Sequence, residues 1–296
     1  MRKRGFFIAG LIVGFIFLTQ DSGICAPTAE QWGVIMNISG RQRMLSQKMS
    51  KEALLLASGI NAEENRGKLK ETMKLFETSL NALMNGDAAM NIPACEFPEI
   101  SEQLEKVQMF YDEIDVVFDK TVEGGVPDNF DMQQIAKASL PLLTAADKAV
   151  QMFEVEAKKV LTKDPTLALV INVAGRQRMI SQKMAKEALL IYLKIDPVNQ
   201  AESLKKSTVL FENSLKGLKF GDSETGLPPA KSEEIIYQLD IVDASWIILK
   251  PKMEKISTQF LAYAVTRDEI SSVVELTGSL LKESDKAVGM CEKLAK

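Results

Sequence analysis

The chain has 296 residues, 46% of them hydrophobic, with 36 Lys and Arg against 40 Asp and Glu and a net charge of −4. A mildly acidic chain with no basic tract is not built to hold nucleic acid. It contains no histidine, which removes the commonest general base and the commonest transition-metal ligand together. There is no Gly-rich phosphate loop, no G-x-S-x-G and no C-x-x-C, so neither an enzyme nor a metal or cofactor site is indicated.

Residues 1–28 read as a secretory signal peptide. Arg2, Lys3 and Arg4 precede an apolar run from Phe6 to Leu18, and small and polar residues follow. The run is shorter than the roughly 20 residues that span a bilayer as a helix. Ile24 is too bulky for a lipidation signal ahead of Cys25. The expectation is an exported, periplasmic protein, with an uncleaved inner-membrane anchor as the alternative. Cys95 and Cys291 do not match between the repeats described below, so no disulfide framework is expected.

From residue 29 onward the pattern is helical almost throughout. Helices are predicted over 29–58, 64–85, 98–122 and 131–161, and again over 165–194, 198–219, 231–263 and 267–295. Asn85-Gly86-Asp87 and Gly221-Asp222 end the second helix of each set, and Gly124-Gly125-Val126-Pro127 separates the third from the fourth. Asp164-Pro165 offers an N-cap and a proline at the first helical position. Pro141 and Gly278 weaken the two fourth helices at nearly matched places, and Pro251 is expected to kink the seventh helix. The reading is all-α, two tandem four-helix bundles related by internal duplication, with domains at 29–162 and 163–296.

The duplication is plainest in the first helix of each set. GRQRMLSQKMSKEALL (40–55) recurs as GRQRMISQKMAKEALL (175–190), differing only at Leu45/Ile180 and Ser50/Ala185, with Asn37 and Asn172 at the same distance upstream. LLTAADKAVQMFE (142–154) likewise answers LLKESDKAVGMCE (280–292). A helix serving only the core drifts among Leu, Ile and Met at little cost. Two arginines, a lysine, a glycine and two glutamines held in register point to a polar constraint.

On a helical wheel Ile38, Leu45, Met49, Ala53 and Leu56 gather with Gln42 as the core face. Asn37, Arg41, Met44, Lys48 and Leu55 adjoin it. Met36, Gly40, Arg43, Gln47 and Leu54 form a third stripe with a glycine for close approach and an arginine at its centre, the pattern of a seam between bundles. Two such seams would bring Arg43 near Arg178. At about 6 Å and an effective dielectric of about 20 their repulsion is roughly 3 kcal/mol, which a small oxyanion between the two forks would reverse.

The string N-x-x-G-R-Q-R-M-[LI]-S-Q-K-M, over Asn37–Lys51 and Asn172–Lys186, resembles the first-helix motif of the sensory domain at the N-terminus of type IV pilus chemotaxis transducers, related to the periplasmic domain of nitrate/nitrite sensor kinases. In the nitrate-sensing branch that resemblance implies an anion held at a dimer seam by one arginine from each first helix. By motif position these are Arg43 and Arg178, with Gly40 and Gly175 at the close approach. Arg41, Gln42 and Gln47 are extra polar residues, so the ligand need not be nitrate, and no second membrane helix, kinase or methyl-accepting module is recognisable.

The candidate ligand-binding residues are therefore Arg43, Arg178, Gly40, Gly175, Gln47, Gln182, Arg41 and Arg176. Each has a plainer reading. Arg43 and Arg178 could pair with a carboxylate in their own bundles. Arg41, Arg176, Lys48 and Lys183 could form a solvated basic edge. Asp147 and Asp285 suit a surface or interhelical ion pair better than an acid catalyst. Trp32, Trp246 and the scattered methionines suit core packing rather than copper handling.

The expected function is a non-enzymatic sensory protein that binds a small anion such as nitrate or nitrite and reports to a membrane receptor or sensor kinase. Its two repeats pair with each other or with a second chain. The alternative is a ligand-free module that docks on a chemoreceptor, sensor kinase or pilus component through exposed stripes.

Overall fold

The computed structural model describes residues 26–161, 163–230, 232–262 and 264–295. The signal-peptide reading lies outside them up to Cys25. Among the described residues eight helices run in chain order: α1 (Ala29–Ala57), α2 (Ala62–Asn85), α3 (Pro98–Val122), α4 (Asn129–Val160), α5 (Leu167–Tyr192), α6 (Pro197–Phe220), α7 (Glu233–Gln259) and α8 (Arg267–Lys293). Among the described residues the only extended pairing is an isolated bridge in each bundle, Asp87–Ile92 and Asp222–Leu227. The fold is all-α, two tandem four-helix bundles.

Local chemistry sets the helix ends. Thr28, Asp128 and Thr266 close capping boxes with Gln31, Asp131 and Glu269 at the starts of α1, α4 and α8. Helix α5 departs from expectation by opening at Leu167. The Asp164 carboxylate accepts from the Thr166 backbone N–H at 3.1 Å and its hydroxyl at 2.6 Å, so it closes a turn instead of capping a helix at Pro165. Helix α7 covers 233–259 instead of 231–263, and α4 and α7 run unbroken through Pro141 and Pro251.

The duplication extends to the turns. Asn61 and Asp196 both precede their helices with φ near +45°, at 45° and 46°. Gly86 and Gly221 end α2 and α6 at φ 81° and 84°. A Cβ on Gly86 would lie 2.6 Å from the Ala94 backbone nitrogen, so glycine is needed there for space as well as for conformation.

Helix α1 packs against α2 and α4, and α5 against α6 and α8, while the most extensive helix pairing in the molecule joins α1 to α5. Both central helices are consequently buried on nearly all sides. The predicted core face holds: Leu45, Met49, Ala53 and Leu56 are buried against α2, α3 and α4 residues such as Phe76, Leu104 and Leu142. Each large apolar side chain so buried contributes about 1.5–3 kcal/mol relative to exposure. Tyr111 and Trp246 stack on Phe76 and Phe211 with ring centroids 4.6 Å apart in both cases. These two aromatic pairs occupy equivalent places in the two bundles.

Candidate functional site

Because α1 and α5 run side by side, their third stripes face each other and become interior. Arg43 and Arg178 have no exposed surface. Each guanidinium divides its donors between its own bundle and the other one. Arg43 donates from Nη1 to Asp147 Oδ1 at 2.6 Å and from Nη2 to the Asn172 carbonyl at 3.2 Å. Arg178 donates from Nη1 to Asp285 Oδ1 at 2.7 Å and from Nη2 to the Asn37 carbonyl at 3.2 Å. The two halves therefore obey an approximate twofold relation. Both Nε atoms are buried and lack a hydrogen-bond partner among the described residues.

The seam glycines lie where the α1/α5 crossing brings in both arginine side chains. A Cβ on Gly40 would lie 3.4 Å from Arg43 Nη2 and 3.6 Å from Arg178 Nη2, and one on Gly175 would lie 3.4 and 3.5 Å from the same two atoms. What these glycines leave room for is a pair of guanidiniums, side by side over the helix crossing. Burial pulls both arginines below their ordinary pKa, Arg178 to about 10, against the opposing pull of Asp147 and Asp285. Guanidiniums are not deprotonated in proteins, and each of these is paired with a carboxylate.

The asparagines of the motif lock the same crossing. Asn37 donates its amide to Glu292 on α8, and Asn172 donates to Glu154 on α4. Each asparagine thus ties its helix to the fourth helix of the other repeat, while its carbonyl receives the opposite arginine.

One turn along, Gln47 donates to the Ser139 carbonyl at 3.1 Å and Gln182 to the Thr277 carbonyl at 3.4 Å. Beyond them lie two residues that the sequence reading left off the stripe, Lys51 and Lys186, although each is four positions past its glutamine. Lys51 donates to Gln182 Oε1 at 2.8 Å and Lys186 to the Ser139 hydroxyl at 2.9 Å. Burial lowers both ammonium groups to about 8.

Gln42 and Gln177 point the other way. They bond the Phe76 and Phe211 carbonyls and the Ser79 and Ser214 hydroxyls of α2 and α6, so they hold each bundle together and do not reach the seam. Lys48 and Lys183 are not a solvated edge either. Lys48 pairs with buried Glu52 at 2.8 Å, and Lys183 pairs with buried Glu187 and bonds the Ser207 hydroxyl at 2.8 Å. Arg41 and Arg176 are partly exposed. Arg176, Asp147 and Lys183 line an open cleft of about 440 Å³ between α4, α5 and α6. Burial pushes the Asp147 carboxyl up, but Arg43 and then Arg176 outweigh it and hold the group below the usual carboxylate range.

The structure thus brings Arg43, Arg178, Gly40, Gly175, Gln47 and Gln182 onto one seam, with Arg176 at a cleft beside it. The plainer reading of the arginines, a carboxylate in their own bundle, holds as well. The seam also answers how the repeats pair: in this structure with each other, which buries the stripes that a docking surface would have exposed.

The sequence profile described as "Type IV pili methyl-accepting chemotaxis transducer N-term" (PilJ) matches residues 28–115 and 160–271, once in each repeat. Two proteins of Pseudomonas aeruginosa are similar in sequence. Methyl-accepting chemotaxis protein McpN is 30% identical over 149 residues, covering 48% of this chain and 27% of that protein. Protein PilJ is 22% identical over 299 residues, covering 98% of this chain and 42% of that protein. The chain therefore spans less than half the length of either curated relative. Among solved structures, the ligand-binding domain of the P. aeruginosa nitrate receptor McpN is similar at 28% identity and a TM-score of 0.37, over 42% of this chain and 96% of that one. With the profile matched across both repeats, the chain belongs to the PilJ N-terminal family, a family of chemotaxis-transducer sensory domains whose function is of a non-enzymatic kind.

Proposed function

We propose that the chain is an exported sensory protein of two domains, 29–162 and 163–296, that binds one small oxyanion of the nitrate or nitrite class at the α1/α5 seam. It would report occupancy to a membrane receptor or sensor kinase. Arg43 and Arg178 are the anion-binding groups, Gly40 and Gly175 keep space beside their Nη2 atoms, Gln182 accepts Lys51 across the crossing, and Gln47 ties α1 to α4 next to it. Arg41 and Arg176 add positive potential at the edge.

The observation that carries this reading is the pair of fully buried guanidiniums set side by side with both Nε–H donors unpartnered. A buried donor without an acceptor costs about 1–3 kcal/mol, and two adjacent cations repel. An oxyanion relieves both conditions, because it supplies several acceptors and a negative charge at once. Since each arginine also holds the opposite helix by an asparagine carbonyl, an anion that draws the forks together favours one crossing of α1 over α5. That is the differential affinity a sensor requires. The McpN structure is described as a nitrate receptor's ligand-binding domain, which is in keeping with an anion of this class.

The test is calorimetric and thermal titration with nitrate, nitrite, sulfate, phosphate and acetate, beside Arg43→Lys/Arg178→Lys, which keeps the charges and removes the planar forks. At 100 times its dissociation constant a bound anion stabilises by about 2.7 kcal/mol. Selective stabilisation that the lysine variant loses supports the proposal. A flat panel with a normally folded protein refutes it.

A further inference from the structure

The two bundles differ at one end, and the difference has a definite shape. In the first bundle Trp32 of α1 meets Phe97 before α3 with ring centroids 5.9 Å apart, and Phe153 of α4 at 6.5 Å, edge-on. Trp32 and Phe153 are buried, and the cavity left around the three rings is about 10 Å³. The equivalent positions in the second bundle, read from the duplicated segments and the matched Gly86/Gly221 turns, are Leu167, Ser232 and Cys291. Every aromatic ring has been replaced by a smaller side chain. The rest of the frame is kept: Val170 stands where Ile35 does, Leu218 where Leu83 does, and Pro228 where Pro93 does. The frame has not collapsed onto the lost volume, and Leu167, Ser232 and Cys291 line a cavity of about 380 Å³.

The cavity opens to solvent beside Leu294, and its apolar walls lack the close packing that the rings give the first bundle. Its volume lies in the range of small-molecule sites and its walls are mostly apolar with a few polar residues, as such sites have. The polar residues of the lining are Ser232 and Asp164.

We infer that the second bundle holds a binding site for a small, uncharged aromatic molecule of one or two rings, seated where the first bundle places the rings of Trp32, Phe97 and Phe153. The first bundle serves as the template for the occupant: it fills the same frame with stacked aromatics of its own. A ring N–H or O–H would meet Ser232 or Asp164. The site is separate from the arginine seam. It nonetheless ends at Cys291, next to Glu292, which accepts the Asn37 amide across the α1/α8 contact.

The experiment uses indole and toluene as probes, followed by calorimetry and by ligand-observed NMR on the purified protein. The comparison is Leu167→Trp/Ser232→Phe/Cys291→Phe, which installs the first bundle's rings. Saturable binding to the parent, weakened at least tenfold in the triple variant and unchanged in Arg43→Lys/Arg178→Lys, supports the site. No saturable binding to the parent overturns it, as does binding that survives the filled cavity. Should the triple variant fail to fold, Ser232→Phe alone serves. Ser232 makes no capping hydrogen bond at the start of α7, so that change removes volume without removing a helix cap. Undiminished binding in that variant counts against the site equally.

Discussion

Arg43 reaches across the seam to the main-chain carbonyl of Asn172 at 3.2 Å while its other fork arm holds Asp147 at 2.6 Å, and Arg178 repeats both contacts in mirror order through Asn37 and Asp285. One guanidinium thus couples three helices. The anchoring carboxylates are not equally sheltered, since the Asp147 side chain is 31% exposed and that of Asp285 56%. Asp147→Asn leaves a buried guanidinium without its counter-charge, which costs about 3–5 kcal/mol where a buried pair is broken. Asp285→Asn should cost distinctly less, because water reaches that side and screens the pair. Urea midpoints of the two variants check the order, and equal costs would contradict it.

The same aspartate sets an acid limit. Asp147 titrates below its unfolded value, so its contribution is fully present above the unfolded carboxylate pKa of about 3.9 and is lost as pH falls through the lower folded value. Asp147→Asn should therefore flatten the decline of stability below pH 4. Parallel acid-denaturation curves for parent and variant would show that the pair does not carry this linkage.

Gly40→Ala and Gly175→Ala separate folding from binding. The added methyls would sit at 3.4 to 3.6 Å from the two Nη2 atoms, ordinary to slightly tight contact, and alanine is favoured over mid-helix glycine by about 1 kcal/mol. Stability should hold or rise. The space beside the guanidiniums shrinks, so anion affinity should fall at least tenfold. Thermal melts with and without nitrate read both quantities, and undiminished affinity would place the anion elsewhere.

Much of this seam was legible in residues 40–55 and 175–190, because a helical period alone sets Gly40, Arg43 and Gln47 on one stripe. The partners were not. Asp147 lies 104 residues from Arg43, and nothing local selects it over other carboxylates. Gln42 was legible as a core-facing polar residue, but its partner, the Phe76 carbonyl of α2, becomes visible only once two helices are packed. Lys51 and Lys186 carry a signal of their own, the i,i+4 spacing from Gln47 and Gln182, although lysine is rarely buried. The start of α5 was misplaced because the Asp164 side chain turns inward on Thr166, a choice between two local hydrogen bonds that composition does not decide.

Gln47 and Gln182 look interchangeable in sequence and are not so in structure. Gln182 Oε1 accepts the Lys51 ammonium at 2.8 Å, whereas Gln47 Oε1 is buried without a partner. Gln182→Met strips a buried cation of its acceptor and should cost about 1–3 kcal/mol. Gln47→Met removes an orphaned acceptor together with two donor bonds, to Ser46 and Ser139, whose counterparts Gln182→Met loses as well, so it should cost less. Chemical denaturation of both variants decides the order, and a costlier Gln47→Met would show that Lys51 draws on some other acceptor.

The buried lysines give a prediction of opposite pH sense to that of Asp147. Lys51 and Lys186 titrate at about 8 in the folded chain and near 10.4 when unfolded. Below about 8 both states hold the proton, and the cost of burying the charge is fully felt. Between about 8 and 10.4 the unfolded chain binds a proton that the folded chain has released, so this contribution to stability rises with pH. Each unit of depression is worth about 1.4 kcal/mol. Lys51→Met/Lys186→Met keeps the seam's volume and removes the charges, so it should be more stable than the parent at pH 7, with the gain shrinking as pH approaches 10. The difference between the two proteins cancels other titrating groups, among them Cys291, whose thiol burial pushes up to about 12. A gain that stays constant from pH 7 to 10 would show that desolvation of these two ammonium groups is not what the seam pays.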